Sequence, residues 1–358
     1  MGVFASLVFS CARGRTVAAA AAATLLLTSA CTPAEEDAAP PPGVAGSERE
    51  LSFTVDGVEV FATLTLPEDT SGPVPGALIV SGSGPTDRDG NSDLRPDADT
   101  NLNFARLLAE AGVASLRYDK LGSGETGLGG LDPDAPVDPG VFDAQAAAAY
   151  EALVGQGEVD PARTAVVGHS EGSLYALRAH TLVDAAPALV LAAPVGDRYL
   201  DVLDRQLTEQ VRAVEAAGQL TGTEAVTLLS DARAARAALR GGREIPGDLT
   251  EMVGALYSPQ NAAFLARMDE LDPVELAAEL PEGTPVLVLW GEADAQITGE
   301  EVDRLMTGLP QAERVDVPDA DHVLRVYEDE PGATVLDAER PFAPQIAPAL
   351  TEFVDTAW

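Results

Sequence analysis

Between Thr164 and His180 the chain passes from an apolar run, Thr164-Ala-Val-Val-Gly168, through Gly168-His-Ser-Glu-Gly172, into a helix-forming stretch that ends at His180. A serine set between glycines at a strand-to-helix junction constrains the fold strongly. The turn must be sharp enough to leave the serine Oγ exposed at the carboxyl edge of a sheet. Glycines on either side let the strand and helix backbones approach with no Cβ between them. The serine itself is held in strained backbone geometry, which survives only where the surrounding structure enforces it. A serine that merely capped a helix would need no such strand before it.

The rest of the chain supplies the sheet this junction requires. Leu51, Phe53 and Val55, then Val58, Val60, Ala62 and Leu64, alternate on one face and are broken at Asp56-Gly57, which predicts a hairpin. Continuous apolar runs follow at Gly76–Val80, Ala114–Tyr118, Thr164–Gly168, Ala188–Ala192 and Pro285–Trp290, the pattern of parallel strands covered on both faces. Helical stretches separate them, so the expected class is α/β, a mainly parallel twisted sheet flanked by helices. The spacing breaks after Val195: residues from about 196 to 280 read as helices, among them Val202–Ala217 and Glu224–Arg240, and predict a helical cap inserted late in the sheet.

Charge and the N-terminus bear on partners and compartment. The 358 residues carry 22 basic against 58 acidic side chains, a net charge of −36, which repels phosphate backbones and excludes nucleic acid as a partner. Hydrophobic residues still make up 46%, enough for a sizeable core. Arg13 and Arg15 precede an uncharged stretch, Thr16–Ala30, too short to span a bilayer as a helix, and residues 1–30 read as a signal peptide. The sequence Leu27-Thr-Ser-Ala-Cys31 resembles a bacterial lipobox, so Cys31 is the expected lipidation site. The alternative is plain secretion after cleavage near Ala30. Residues 31–48, with Glu35-Glu-Asp37 and Pro40-Pro-Pro42, read as a disordered tether ahead of a domain spanning 49–358. Cys11 would leave with the signal, so the folded domain keeps no thiol and no disulfide.

A serine needs a base, and the chain offers three histidines: His169, His180 and His322. His169 lies inside the turn with its side chain directed away from Oγ, and His180 lies ten residues down the helix. His322, in a loop after the strand-like Arg314–Val317, is the candidate. The acid that orients it should follow the strand ending at Gly291. Asp294 is the first choice, Glu292 two residues earlier is a rival, and Asp321 is too close in sequence to reach His322 Nδ1 easily. The glycine-rich segment from Ser81 to Gly90 follows the first parallel strand, where the Ser83 and Glu171 amides would pair as oxyanion donors. Arg88 in that segment is expected to pair with Asp87 or Asp89, or to face a substrate carboxylate. The Glu171 side chain is accounted for by the helix macrodipole alone. Scattered histidines and no folded-domain cysteine give no metal-ligand cluster, and no cofactor is expected.

Together, Ser81-Gly-Ser-Gly-Pro-Thr-Asp-Arg-Asp89, Arg117-Tyr-Asp-Lys-Leu-Gly-Ser-Gly124, Gly168-His-Ser-Glu-Gly172, Gly291-Glu-Ala-Asp294 and Asp321-His322 resemble the α/β-hydrolase superfamily. The resemblance runs from Leu51 to the end and is nearest to bacterial carboxylesterases with a Gly-His-Ser-Glu-Gly turn, related to serine aminopeptidase-like hydrolases. It implies a Ser170, Asp294, His322 triad in the order usual for that fold, with the turn at Asp119 as a structural landmark. Leu121 and Ser173 depart from the pattern, where a second basic residue and a further glycine are common. The expectation is an exported, lipid-anchored serine hydrolase acting on a small ester, touching the membrane only through its lipid. A peptidase or acyltransferase on the same triad, and a non-catalytic surface-binding lipoprotein, are the alternatives.

Overall fold

The computed structural model describes residues 46–68, 71–333 and 335–358; the expected signal peptide, Cys31 and the expected tether up to residue 45 lie outside the described residues. Strands β1 (Ser47–Val55) and β2 (Val58–Leu66) pair antiparallel around Asp56 and Gly57. Both turn residues have positive φ, 49° and 84°, as a two-residue turn matched to strand twist demands. Strand β1 thus takes in Ser47 and Glu48, which the composition reads as the end of the tether. The reason is tertiary: the Glu48 carboxylate accepts a 2.8 Å bond from the buried Arg117, and local composition carries no trace of it.

From there strands alternate with helices: β3 (Val74–Val80), α1 (Thr100–Glu110), β4 (Ala114–Tyr118), α2 (Gly140–Val154), β5 (Val159–His169), α3 (Gly172–Leu177), α4 (Ala179–Leu182) and β6 (Ala188–Ala192). After β6 come α5 (Tyr199–Ala216), α6 (Gly222–Arg240), α7 (Glu251–Leu256), α8 (Pro259–Glu270) and α9 (Pro273–Ala278). The chain then returns to the sheet with β7 (Val286–Gly291), α10 (Gly299–Met306), β8 (Glu313–Val317) and α11 (Ile346–Ala357). The sheet order is β1-β2-β4-β3-β5-β6-β7-β8, with every pair from β4-β3 onward parallel. This is the mainly parallel, helix-flanked sheet that the apolar runs imply.

Period-two alternation within those runs divides the core. Leu78, Val80, Val166, Leu189 and Leu191 face one way, toward the layer that includes α2, α3 and the inserted helices. Ala77, Ile79, Val167, Val190 and Leu289 face the other, toward α1 and α11. Burying a Val, Leu or Ile side chain contributes roughly 1.5–3 kcal/mol. Strands loaded on both faces thus make a rigid platform, and the loops at their carboxyl ends inherit that rigidity.

The inserted helices are tied to the sheet layer and to one another by paired side chains: Arg205 of α5 donates to Glu301 at 2.9 Å, and Arg304 of α10 donates to Asp272 at 2.7 Å. Thr221 and Glu224 form a capping box that starts α6. Asp269 near the end of α8 is buried and accepts from the Leu200 amide at 3.0 Å and from Arg240 at 2.7 Å, joining α5, α6 and α8. Among the described residues no helix is long and apolar enough to cross a membrane.

Candidate active site

Strand β5 delivers the serine. Ser170 has φ 55°, in the left-handed region that non-glycine residues avoid. Its amide donates to the Ala192 carbonyl at 2.8 Å, which ties the strained turn to the end of β6. The flanking glycines are steric necessities: a Cβ on Gly168 would stand 2.3 Å from the Gly172 carbonyl oxygen, and one on Gly172 would stand 2.3 Å from that of Val80. Ser173, at the position where a further glycine is common, is buried, and its Oγ accepts from the Val195 amide at 3.2 Å.

The other two expected residues arrive from β7 and β8. His322 Nδ1 lies 2.8 Å from Asp294 Oδ2. Asp294 Oδ1 accepts from the Gln296 amide at 2.6 Å and the Ile297 amide at 3.0 Å, so its carboxylate is clamped before it meets the imidazole. With Asp294 accepting, Nδ1 carries the hydrogen and Nε2 is left as an acceptor for a hydroxyl proton. Ser170 and His322 line one small cavity of about 80 Å³, together with Gly82, Ser83, Arg95 and His169. Glu292 is exposed and takes no part in this arrangement. Asp321 instead braces the loop: Oδ1 accepts from the Val323 and Arg325 amides, and Oδ2 accepts from Arg95 at 2.8 Å and Arg340 at 2.7 Å. Burial works to raise the Asp321 pKa, but the two guanidinium groups outweigh it and hold the carboxyl below its usual value.

His169 has a role the sequence reading missed. It continues the face of Ala165 and Val167 toward Ala320 and Leu324, and period-two parity is the signal that could have placed it there. Its Nε2 stands 2.8 Å from the His322 carbonyl oxygen, which requires the hydrogen on Nε2, and the two imidazole rings lie 5.0 Å apart. Burial, with His322 beside it, pushes the His169 pKa down to about 3, so this anchor stays neutral through ordinary pH. His180 stands apart, with Nδ1 buried and unpartnered among the described residues.

The segment after β3 closes over the serine. Gly82 packs against it so closely that a Cβ there would lie 3.2 Å from Ser170 Cβ. Neither the Ser83 nor the Glu171 amide donates a hydrogen bond among the described residues, whereas the Ser170 amide is already committed. Arg88 does not pair with Asp87 or Asp89, nor does it face the cavity. Its amide and Nε bind the buried Asp119 at 2.7 and 3.2 Å, and its guanidinium meets Glu50 and Glu125. Asp119 is a better partner because it sits under the loop with both oxygens available, taking the Glu125 amide as well at 2.9 Å. Asp89 binds Arg117 instead, at 2.7 Å.

On the other side of Ser83 lies a larger cavity of about 270 Å³, walled by Leu121, Val137 and Phe142 below and Leu203, Leu256 and Phe264 above. Its polar floor is Lys120, Glu171 and Tyr199. Glu171 needs more than the helix dipole to explain it: the side chain is buried and Oε2 accepts from the Tyr199 hydroxyl at 2.6 Å. Burial and the Glu171 charge raise the Tyr199 pKa well above its ordinary value, so the phenol stays protonated. Burial lowers that of Lys120, with Glu171 opposing. Among the described residues no group of three or more His, Cys, Asp or Glu side chains is arranged to hold a metal ion.

The model of the Alpha/beta hydrolase family matches residues 77–338. Esterase EstD of Thermotoga maritima is 26% identical over 273 residues, which are 76% of this chain and 58% of that protein. The chain thus spans under two thirds of that relative's length. Among solved structures, a hypothetical protein from Pseudomonas aeruginosa superposes with a TM-score of 0.52 at 17% identity, covering 94% of this chain and all of that one. Est1E of Butyrivibrio proteoclasticus, solved with ferulic acid bound, gives 0.52 at 18% identity over 86% of this chain and 98% of its own. At such identities these structures speak for the fold alone.

Proposed function

The chain belongs to the alpha/beta hydrolase family, and from that premise we propose that it is a serine carboxylesterase working through an acyl-enzyme on Ser170. The observation that carries the reading is the left-handed Ser170 sharing a cavity with a His322 whose Nδ1 is held 2.8 Å from Asp294. The similarity to EstD points the same way.

Ser170 Oγ attacks the ester carbonyl carbon while His322 Nε2 takes the hydroxyl proton, and the Asp294 carboxylate stabilises the imidazolium that forms. The carbonyl oxygen becomes an oxyanion facing the Ser83 and Glu171 amides, each such donor contributing on the order of 3 kcal/mol to the barrier reduction. Collapse of the tetrahedral adduct breaks the bond to the alkoxy oxygen, which leaves as the alcohol with the proton from His322. Water, deprotonated by the same imidazole, then attacks the acyl carbon and releases the acid, returning the proton to Ser170.

The acyl group fits the apolar cavity under the inserted helices. At about 270 Å³ it lies just below the usual range of ligand pockets, which favours short or medium acyl chains or a single aryl ring. The alcohol leaves by the smaller cavity beside His322 and Arg95. Export and lipid attachment at Cys31 belong to the same proposal, supported by Arg13, Arg15, the uncharged Thr16–Ala30 stretch and the lipobox-like sequence. The native N-terminal mass tests the anchor: a diacylated Cys31 supports it and an unmodified one removes it.

The activity is tested with p-nitrophenyl esters of graded chain length on residues 47–358 beside Ser170→Ala. Turnover that the substitution abolishes supports a serine esterase. No turnover and no fluorophosphonate labelling of Ser170 in folded protein overturns it, and labelling without turnover redirects the search to peptides or other acyl acceptors.

A further inference from the structure

Lys120 is the only lysine in the chain, and it is buried in the floor of the apolar cavity. Its Nζ donates to the Gly82 carbonyl, stands 3.9 Å from Glu171 Oε1 and lies 5.9 Å from the Phe142 ring centroid. On its far side Glu171 Oε2 takes the Tyr199 hydroxyl at 2.6 Å. An ammonium in this position is costly to desolvate, and a buried ion pair of this kind stabilises a fold no better than apolar side chains would. The 3.9 Å gap to Glu171 is too long for a hydrogen bond, so the ammonium's direct bond goes to a peptide carbonyl instead.

That peptide is the one whose other end carries the Ser83 amide. The described chain contains no cis peptide bonds. In a trans peptide the C=O and N–H point in opposite directions within one plane. A cation fixed on the Gly82 oxygen therefore turns the Ser83 N–H away from Lys120 and polarises it as a donor. The second expected donor, the Glu171 amide, belongs to the residue whose carboxylate completes the same cluster. We propose that Lys120, Glu171 and Tyr199 form a positioning triad that sets and polarises both oxyanion donors, with Lys120 acting through the Gly82–Ser83 peptide and Tyr199 bringing the first inserted helix, α5, into contact with the catalytic machinery. None of the three side chains touches the reacting atoms. The cluster links the position of α5 to the oxyanion site, because Tyr199 is the first residue of α5 and its hydroxyl reaches the residue beside the nucleophile.

This rests on the esterase reading, and the experiment separates the two. Lys120→Met keeps length and removes the charge and the donor. With p-nitrophenyl butyrate, kcat is expected to fall about ten- to a hundred-fold, short of or equal to the loss of one whole oxyanion donor, with KM changed less than about two-fold. Affinity for an alkyl trifluoromethyl ketone, which forms an oxyanion on Ser170, falls by the same factor, while that for the matching methyl ketone holds. Glu171→Gln, which keeps the backbone amide, shows the same split more weakly, and it carries the test if Lys120→Met does not fold. A folded Lys120→Met with wild-type kcat, or an equal loss of affinity for both ketones, overturns the inference. Undiminished turnover in Ser170→Ala overturns the esterase reading instead.

Discussion

The two sides of Ser170 are built by different means. Toward His322 everything is held by backbone and charge: Asp294 is clamped by two amides, Asp321 by two amides and two arginines, and His169 bonds the His322 carbonyl. Toward the apolar cavity the wall is side chains, from α5, α7 and α8 on one face and from Leu121, Val137 and Phe142 on the other, and the nucleophile's neighbour Glu171 meets the Tyr199 hydroxyl and Lys120. Chemistry that cannot tolerate displacement sits on the first side. Apart from Lys120, Glu171 and Tyr199, the second side is a surface that fits an acyl group, and its apolar side chains can change without moving the platform.

Asp294→Asn should break the first side most severely. Because the oxygen of an Asn must stay on the Gln296 and Ile297 amides, its NH2 would face Nδ1 as a donor and force the hydrogen onto Nε2, so kcat should fall about ten-thousand-fold with KM nearly unchanged. Stopped assays at matched folding state check it, and a loss below ten-fold would remove Asp294 from the mechanism.

A smaller effect on the same side concerns pH. With its folded pKa lowered to about 3, His169 is neutral in the native state but protonates near 6.5 once unfolded. The unfolded state therefore binds more protons across that window. The stability this group contributes is complete above pH 6.5 and is lost as pH falls toward 3, by at most about 1.4 kcal/mol per pH unit. Urea melts at pH 7, 6, 5 and 4 should show a slope that His169→Asn reduces. An unchanged slope would deny that the anchor is buried and neutral.

Smallest is the change on the second side. Phe264 packs edge-on to Phe142, with ring centroids 5.5 Å apart, and to Tyr199 at 6.2 Å. Phe264→Ala enlarges the cavity and should shift the ratio of kcat/KM for long over short p-nitrophenyl esters about ten-fold, leaving kcat on the acetate within a few-fold. An unchanged chain-length profile would place the acyl group elsewhere.

The first side was largely legible in the sequence. A turn that demands glycine at Gly168 and Gly172 announces itself locally, parallel strands appear as unbroken apolar runs, and three histidines leave few choices for a base. The rest depends on side chains brought together over long separations. Arg88 reaches Asp119 rather than its neighbours because a buried carboxylate lies directly beneath the loop. Lys120, Glu171 and Tyr199 come from three separate elements, and no local pattern marks them. His169 is hidden for a different reason: strand parity gives the face its ring takes, but the His322 carbonyl it meets lies 153 residues further along the chain.

The most direct measurement of the central claim is the mass of the peptide bearing Ser170 from enzyme quenched in acid during turnover of p-nitrophenyl acetate. The account predicts an initial burst of p-nitrophenolate and an acetyl group on that serine, both absent from Ser170→Ala. Turnover that persists in Ser170→Ala, with no acetyl group on the wild-type peptide, would contradict it.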